Sequence, residues 1–351
     1  MKATYHKYML HFKRPSGTSR GVMNEKETWF IVLEKEGKKG IGECGILRGL
    51  SIDDRPDYES KLLWTCANIH LGKDALWEAL LEYPSIQFGV EMAFQSLASS
   101  TPFLLFPSDF TNGLKSIPIN GLVWMGTEAF MKEQIEEKLA EGFRCIKLKI
   151  GAIDFETELQ LLRFIRQHFT AEDIEIRVDA NGAFSSSLAL DKIIKLSEFK
   201  LHSIEQPIQK KQTDSMAELC KITPFPVALD EELIGVFTLA EKEDLLVKIK
   251  PQYIILKPSF VGGFRGTQEW ISLAEKHKIG WWITSALESN IGLNAIAQWT
   301  FLQHNLMPQG LGTGALYTNN FDCPLAVSEG QLWYKNDVDW AFDYELNLNS
   351  H

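Results

Sequence analysis

The chain has 351 residues, of which 45% are hydrophobic and 23% are charged, and its formal net charge is −10. This length is sufficient for two domains, or for one barrel with an addition. The negative charge and the lack of a long Lys/Arg cluster argue against nucleic acid as a partner. Five scattered cysteines without a CxxC pair predict neither a disulfide framework nor a zinc knuckle.

The N-terminal sequence and the hydropathy of the chain predict its location. The opening stretch MKATYHKYMLHFKRPSG has no apolar signal-peptide core, and no apolar run approaches the length of a membrane span. We therefore expect a soluble cytoplasmic protein that does not bind membranes.

Residues 1–115 predict an α+β domain. The stretch Thr28–Gly45, TWFIVLEKEGKKGIGECG, alternates in the manner of strands and predicts a hairpin that turns at Glu36-Gly37. A helical region follows from residue 58 to about residue 98.

The stretch Arg14–Gly21, RPSGTSRG, predicts a mobile loop because it is rich in Gly, Ser and Pro. Gly17 and Gly21 permit unusual backbone angles. We expect this loop to close over the functional site and to exclude water from it.

From Ile117 the pattern changes to alternating strands and helices, and the helical spacing is clear in Phe155–Phe169. Eight strands over about 200 residues fit a (β/α) barrel, with a doubly wound open sheet as the main competitor. The strands are predicted near residues 117–124, 145–150, 174–180, 202–207, 226–231, 253–258, 280–285 and 308–313. The tail from about Phe321 is strand-like and is expected to return to the N-terminal domain. The predicted domains are therefore 1–115 with 321–351, and 116–320.

Charged and polar residues recur at the ends of these predicted strands. They follow one another at intervals of 30, 26, 25, 27 and 28 residues: Lys149, Asp179, Glu205, Asp230, Lys257 and Ser285. Each interval is one strand–loop–helix–loop unit. In a barrel such residues converge at the C-terminal mouth, where barrel enzymes place their chemistry. Lys147 is two residues before Lys149 and points the same way.

The three carboxylates in this series predict a metal site. Asp179, Glu205 and Asp230 would lie on adjacent strands, and without a cation their mutual repulsion would be costly. Mg²⁺ prefers oxygen ligands and usually keeps positions open for water or substrate. We therefore expect these residues to bind Mg²⁺, with Mn²⁺ as a possible substitute.

The lysines predict proton transfer beside a carboxylate of the substrate. A carbon acid next to a carboxylate is very weak, because loss of its proton creates a dianionic enediolate, and a bound metal can stabilise that charge. Lys149 must be neutral to act as the base. The charges of Lys147 and of the metal are expected to lower its pKa.

Each of these residues also has an ordinary structural interpretation. A single Asp or Glu at a strand end is usually a helix cap or turn residue, and a single Lys there is usually solvated. KLK alone could protect a strand edge against aggregation. The recurrence at intervals of one repeat favours the functional interpretation.

The segments that contain these residues resemble the enolase superfamily, in its muconate-lactonising-enzyme-like subgroup, and most specifically the o-succinylbenzoate synthase family. The resemblance covers nearly the whole chain. It is carried by KLK at 147–149, VDANGAF at 178–184, EQP at 205–207, LDE at 229–231 and LKPS with GG at 256–263. Residues 40–51 and 84–93 resemble segments of the N-terminal capping domain, although Ile46 stands where a proline is common.

The resemblance implies a (β/α)7β barrel, a modified TIM barrel, with an α+β capping domain. It implies that the three carboxylates ligate Mg²⁺ and that Lys149 and Lys257 lie on either face of a small carboxylate substrate. The implied reaction is syn dehydration of 2-succinyl-6-hydroxy-2,4-cyclohexadiene-1-carboxylate to 2-succinylbenzoate, a step in menaquinone biosynthesis. Lys149 would remove the proton and protonate the departing hydroxide, while Lys257 would stay cationic over the ring. We assign Lys147, Asn181 and Ser285 to substrate binding.

Two alternatives remain at this point. An N-succinylamino acid racemase or a dipeptide epimerase would use both lysines as acid and base. Dipeptide epimerases usually carry Asp-x-Asp on the eighth strand, which Gln309–Tyr317, QGLGTGALY, lacks. The second alternative is a non-catalytic barrel used for binding, and the intact lysines and carboxylates argue against it.

Overall fold

An antiparallel sheet forms the start of the protein in this computed structural model, which describes residues 1–18 and 21–344. The sheet has the order β1-β2-β3. Its strands are β1 (Lys2–Thr18), β2 (Gly21–Lys35) and β3 (Lys38–Cys44). The predicted hairpin is confirmed, because Lys35 pairs with Lys38 across a turn in which Glu36 and Gly37 have φ angles of 53° and 77°.

The central part of strand β2, Trp29–Leu33, is hydrophobic without interruption because both of its faces are buried. Trp29, Ile31 and Leu33 pack with the helices of the N-terminal region. Phe30 and Val32 point the other way, into the core that continues under the second sheet. The N-terminal sheet is therefore sandwiched between its own helices and the rest of the molecule.

The helical region predicted between residues 58 and 98 is confirmed. It consists of α1 (Tyr58–Ala67), α2 (Lys73–Ala79) and α3 (Pro84–Ala98), with a 3₁₀ turn at Ile69–Leu71. Helix α3 packs closely on β3, since a Cβ added to Gly42 would collide with the carbonyl oxygen of Gly89. Glycine at position 42 thus permits this close packing.

The second sheet is parallel and curled, with the order β11-β10-β9-β8-β7-β6-β5. The strands from Ile117 onward are β4 (Ile117–Pro118), β5 (Gly121–Val123), β6 (Cys145–Lys149), β7 (Glu175–Asp179), β8 (Ser203–Glu205), β9 (Val227–Leu229), β10 (Tyr253–Leu256) and β11 (Gly280–Ile283). The helices are α4 (Glu128–Ala140), α5 (Phe155–His168), α6 (Ser186–Ser197), α7 (Thr213–Ile222), α8 (Leu239–Ile249), α9 (Pro258–Val261), α10 (Gly263–Lys276) and α11 (Asn290–Leu302). A 3₁₀ turn at Glu231–Leu233 follows β9.

The strand predicted near 308–313 is present only as two isolated parallel bridges, Ile119 with Gln309 and Thr284 with Gly310. Gly310 N donates to Ile283 O, and Gln309 N donates to Pro118 O, both at 2.8 Å. This segment therefore lies between β11 and the start of the parallel series. Its glycines supply no side chains to pack, which explains why regular pairing does not extend further.

The loop predicted at Arg14–Gly21 is a strand pair in the part that the structure describes. Residues 14–18 belong to β1, and Ser16 pairs with Met23 after a register shift that follows His11. Gly17 forms a bridge with Met125, so this end of the hairpin lies against the parallel sheet. Residues 19 and 20 lie outside the described residues. Loop composition was misleading here, because edge strands accept Pro and Gly at bulges.

The strand-like character predicted for the tail is confirmed by a hairpin of β12 (Leu325–Ser328) and β13 (Gln331–Tyr334), which pairs with β4. Its flanks contact the N-terminal region. The rings of Phe321 and Tyr8 are 5.1 Å apart, and those of Trp340 and Phe103 stack at 4.2 Å.

A buried polar cluster joins the N-terminal sheet to the beginning of α11. Glu43 of β3 accepts hydrogen bonds from Thr28 Oγ1, Ser289 N, Ser289 Oγ and Gly292 N at 2.5–2.9 Å. A carboxylate at a helix N-terminus is stabilised by the unpaired N–H groups and by the helix dipole. The charge of Glu43 also acts on the ammonium group of Lys26, which is buried nearby. The cluster therefore fixes the N-terminal sheet to the segment that follows β11.

None of the helices within residues 1–18 and 21–344 combines the length and the apolar character that crossing a bilayer requires.

Candidate active site

The residues predicted at strand ends are brought together at one edge of the parallel sheet. Lys149, Asp179 and Glu205 are the last residues of β6, β7 and β8, and they are direct neighbours in register. Asp230 follows β9 immediately and Lys257 follows β10 immediately. Parallel strands place their carboxyl ends at the same edge, which is why equal sequence intervals become a row of side chains.

Three lysines and three carboxylates form a buried ion cluster in this row. Lys147 Nζ lies 2.8 Å from Asp179 Oδ2 and also contacts Glu205 Oε2. Lys149 Nζ lies 2.5 Å from the same oxygen of Asp179, and Lys257 Nζ pairs with Asp230 Oδ2.

The burial of this cluster constrains its charge. Asp179 is fully buried, and Glu205 and Asp230 are each 2% exposed. The three positive and three negative groups cancel formally. This balance is necessary because an unpaired buried charge costs several kcal/mol. The cluster therefore has no net formal charge.

The three lysines differ in the direction of their pKa shifts. Burial, together with the charge of Lys147, lowers the pKa of Lys149 against the opposing pull of Asp179. The pKa values of Lys147 and Lys257 are raised, because attraction to the carboxylates exceeds the effect of burial. The predicted direction for Lys149 is confirmed, although burial is a larger cause than Lys147. Lys149 is thus the lysine of the three that is suited to act as a neutral base.

The three carboxylates also differ. Burial raises the pKa of Asp179, but Lys147 and Lys149 outweigh it and hold that pKa well below its usual value. Lys257 and Lys147 likewise lower the pKa of Asp230 against burial. The pKa of Glu205 is raised well above its usual value by burial and by the charge of Asp179. Glu205 is therefore the carboxylate whose negative charge is least compensated by the lysines.

The donor set fits a hard divalent cation. The three carboxylates lie on adjacent strands, and Glu205 Oε1 is buried with no hydrogen-bond partner among the described residues. Within residues 1–18 and 21–344, no group of three or more His, Cys, Asp or Glu side chains is arranged so that it could hold a metal ion as it stands. Lysine ammonium groups contact these carboxylates, so the site accommodates positive charge beside them. A divalent cation could supply part of that positive charge.

Asn181 forms a hydrogen bond with the side chain of Lys149. Its Oδ1 accepts from Lys149 Nζ at 3.0 Å, and its Nδ2 donates to Glu231 Oε1 at 3.0 Å. Its backbone N–H donates to Asp179 Oδ1 at 2.9 Å, and its φ of 44° is in the left-handed region that asparagine tolerates. The structure therefore gives Asn181 a positioning contact with the lysine.

A cavity of about 90 Å³ adjoins the lysines of the site and is called the central cavity here. Lys147, Lys149, Lys257 and Ser285 all line it. Ser285 Oγ is 2.7 Å from Thr313 Oγ1, so the hydroxyl pair forms a polar corner of the wall. A larger cavity of about 720 Å³ lies beside the C-terminal hairpin and shares Gly312 with the central cavity, but none of these lysines lines it.

Several cavity residues were not predicted from the sequence. The N-terminal region contributes Met23, Leu47 and Leu50, which reach the cavity through long-range packing. Asn120 and Trp124, at the two ends of β5, also line the cavity. Trp124 is the last residue of the first predicted strand, 117–124, and this position at a strand end is the sequence signal that points to it.

Known proteins provide an independent comparison. Residues 130–336 match the family described as enolase C-terminal domain-like. The o-succinylbenzoate synthase of Desulfotalea psychrophila is 48% identical over 368 residues, covering 95% of this chain and 98% of that protein. The crystal structure of MenC from Desulfotalea psychrophila superimposes with a TM-score of 0.84 at 44% identity, over 95% of this chain and 99% of that one.

A more distant relative is named for a different activity. The N-succinylamino acid racemase of Thermus thermophilus is 28% identical over 295 residues, covering 78% of this chain and 75% of that protein. The match at 48% identity extends over nearly the whole of both chains. This chain therefore belongs to the enolase superfamily and, within it, to the o-succinylbenzoate synthase family.

Proposed function

We propose that this protein is a lyase that dehydrates 2-succinyl-6-hydroxy-2,4-cyclohexadiene-1-carboxylate to 2-succinylbenzoate, a step of menaquinone biosynthesis. The observation that carries the proposal is the row of lysines and carboxylates at five consecutive strand ends. The relative at 48% identity is an o-succinylbenzoate synthase, which supports the same reaction.

Asp179, Glu205 and Asp230 are the proposed ligands of Mg²⁺, for which Mn²⁺ can substitute. When bound, the cation supplies positive charge to the substrate carboxylate as negative charge develops on it. Lys147 then becomes available to the substrate carboxylate, because its present partners Asp179 and Glu205 have another counter-charge. Ser285 contributes its hydroxyl at the cavity wall.

Lys149 is the proposed base. Its Nζ takes the proton from the ring carbon that bears the carboxylate, and then returns a proton to the hydroxide that leaves from the same face. One C–H bond and one C–O bond break, a C=C bond forms, and water departs. The lowered pKa of Lys149 favours the neutral amine that this step requires, and Asn181 Oδ1 orients that amine.

Lys257 is the proposed fixed positive charge across the ring. It follows β10, while Lys149 ends β6, so β7, β8 and β9 separate the two lysines along the sheet. Its pKa is raised, because attraction to Asp230 and other carboxylates exceeds the effect of burial. A lysine that stays cationic stabilises the enediolate without giving up its proton.

The proposed architecture is a (β/α)7β barrel, residues 116–320, with a capping domain formed by residues 1–115 and 321–351. Support for closure of the barrel comes from the bridges of Gln309 to Ile119 and of Gly310 to Thr284. Support for the domain assignment of the tail comes from its ring contacts with Tyr8 and Phe103.

The end of the N-terminal hairpin is the proposed cover of the site. Gly17 contacts Met125 just beyond β5, and Met23 lines the central cavity. A cover of this kind excludes water while the proton is transferred.

N-succinylamino acid racemisation is the second candidate, and the relative from Thermus thermophilus favours it. Racemisation requires protons to be delivered from both faces, so Lys149 and Lys257 would both exchange protons with solvent. The unequal pKa directions of these lysines favour dehydration.

Assays with two substrate classes test the proposal. Purified protein with Mg²⁺ should convert the cyclohexadiene substrate to 2-succinylbenzoate. One enantiomer of N-succinylphenylglycine in D₂O should undergo slower inversion with deuterium incorporation, or none. Inversion at an efficiency that matches dehydration would show a bifunctional enzyme. Inversion without dehydration would refute the proposed lyase function.

A further inference from the structure

Glu288 lies in the segment between β11 and α11, and its carboxylate joins two walls of the central cavity. The side chain is fully buried. Its Oε1 accepts a hydrogen bond from Ser259 Oγ at 2.5 Å, and its Oε2 accepts from Ala286 N at 2.6 Å. Ser259 is two residues after Lys257, and Ala286 directly follows Ser285. One carboxylate therefore holds the segment of Lys257 against the segment of Ser285, and both residues line the cavity.

The turn that presents Glu288 has a constrained backbone. Leu287 has a φ of 63°, in the left-handed region that is uncommon for residues other than glycine. Its carbonyl oxygen accepts a hydrogen bond from Tyr317 Oη at 2.7 Å. A backbone conformation of this kind persists only when its surroundings fix it, and such positions cluster at functional sites. Because Leu287 itself lines the central cavity, the constraint acts on the wall of the site.

The N-terminal region packs directly against this contact and places a charge beside it. A Cβ added to Gly45, just after β3, would lie 2.6 Å from Ser259 Oγ and 2.8 Å from Glu288 Cγ. Lys26 on β2 is 2% exposed, and its Nζ has no hydrogen-bond partner among the described residues. Burial lowers the pKa of Lys26, and the charges of Glu43, Glu288 and Glu27 oppose that effect. A buried carboxylate needs such a counter-charge, which Lys26 supplies to Glu288.

We propose that Glu288 is a positioning residue for Lys257, and that Lys26 acts through Glu288 as its counter-charge from the N-terminal sheet. This inference rests on the proposed function, in which Lys257 is the fixed positive charge over the enediolate. The product has no enediolate charge, so the placement of Lys257 affects the transition state more than it affects the product. Loss of the positioning should therefore lower kcat and leave the affinity for 2-succinylbenzoate nearly unchanged.

Ser259→Ala tests the link between Glu288 and Lys257, and Thr28→Val is the matched control. Each variant deletes one hydroxyl group that donates to a buried carboxylate, at 2.5 Å to Glu288 or at 2.8 Å to Glu43. Thr28 belongs to the same domain interface, but its partner Glu43 contacts the start of α11 and not the segment of Lys257. The pair therefore separates a contact that reaches the site from one that only holds the interface.

Both variants should lower the midpoint of urea denaturation, because each loses a hydrogen bond to a charged group. Only Ser259→Ala should lower kcat, by about tenfold. Its affinity for 2-succinylbenzoate, measured calorimetrically on the Mg²⁺-loaded enzyme, should stay within about twofold of that of the unmodified protein. Equal losses of kcat in the two variants, or no loss in Ser259→Ala, would overturn the positioning role.

A double-variant cycle tests whether Lys26 acts through Glu288. Glu288→Gln keeps an acceptor oxygen without the charge, and Lys26→Met leaves the buried carboxylate without its counter-charge. Each should lower kcat by about tenfold, because hydrogen bonds to an ionised acceptor are the stronger ones. The double variant should also lose only about tenfold, since the second change has no remaining interaction to disrupt. A loss of about 100-fold in the double variant would show independent roles and overturn the coupling. A kcat of Glu288→Gln within about twofold of the unmodified protein would overturn the positioning role.

The same experiments distinguish failure of this inference from failure of the proposed function. Unmodified protein with Mg²⁺ that does not dehydrate the cyclohexadiene substrate would refute the proposed function. Normal turnover by the unmodified protein, together with equal kcat values for Ser259→Ala and Thr28→Val, would refute the positioning role alone.

Discussion

Glu91 on α3 offers a quantitative test of how the capping helices are held to the parallel sheet. Its Oε2 accepts from Phe264 N at 2.6 Å, and its Oε1 accepts from Arg265 N at 3.3 Å, both at the start of α10. Burial raises the pKa of Glu91 from 4.5 to about 7 despite these N–H donors. The folded protein therefore binds a proton at Glu91 more tightly than the unfolded chain does.

The sign and size of the expected effect follow from this shift. A raised carboxyl pKa gives stability that is fully present below pH 4.5 and is lost as pH rises to about 7. The loss is about 3 kcal/mol, from roughly 2.5 pKa units at 1.36 kcal/mol each. Glu91→Gln keeps an acceptor for Phe264 N and cannot ionise, so it should escape this loss.

Urea denaturation at pH 5 and pH 8 measures the difference. Glu91→Gln should exceed the stability of the unmodified protein by less than about 1 kcal/mol at pH 5 and by about 3 kcal/mol at pH 8. Glu78→Gln is the control, because its carboxylate is 57% exposed beside Arg265 and its removal should produce a much smaller change. A stability difference for Glu91→Gln that does not vary with pH would refute the reasoning.

Three further predictions concern the site. Exhaustive EDTA treatment should abolish turnover and Mg²⁺ or Mn²⁺ should restore it, while Asp230→Asn should be nearly inactive with an unchanged circular dichroism spectrum; full turnover after EDTA would exclude the metal site. Lys257→Arg should retain measurable dehydration and lose any racemisation, because Arg keeps the charge but does not exchange its proton; equal loss of both activities would contradict a purely electrostatic role. Gly17→Val should raise KM and lower the free energy of unfolding, because an added Cβ would lie 2.5 Å from Met125 O and would displace the end of the hairpin; unchanged kinetics would remove the covering role.

The row of site residues could be predicted because it depends on local features. A run of hydrophobic residues indicates a buried strand, and one strand–helix unit has a nearly constant length. Lys149, Asp179 and Glu205 are neighbours in register for this reason. The turn at Glu36-Gly37 was predictable for the same kind of reason, because Gly provides the positive φ that the turn requires.

Features that depend on long-range packing were not predictable. Leu47 and Leu50 are distant in sequence from the cavity that they line, and nothing in their local pattern indicates it. The end of β1 has the composition of a loop, yet Gly17 is held by a bridge to Met125. The sequence around Gln309 predicts a strand. Its glycines provide no side chains to pack, and the segment forms isolated bridges only.

The contribution of burial to the pKa of Lys149 also required the structure. The sequence identifies Lys147 as a neighbouring charge, but it does not show how completely both side chains are enclosed. Burial is the larger cause of the lowered pKa, with Asp179 opposing it. The balance among these effects is a property of the assembled cluster.

Lys149→Ala tests the central claim most directly, with turnover of the cyclohexadiene substrate as the readout. Loss of the base should lower kcat by about 10²–10⁴-fold. The affinity for 2-succinylbenzoate with Mg²⁺ and the circular dichroism spectrum should be retained, which would localise the defect to proton transfer. A folded variant that keeps its kcat within about twofold of the unmodified enzyme would contradict the assignment of Lys149 as the base.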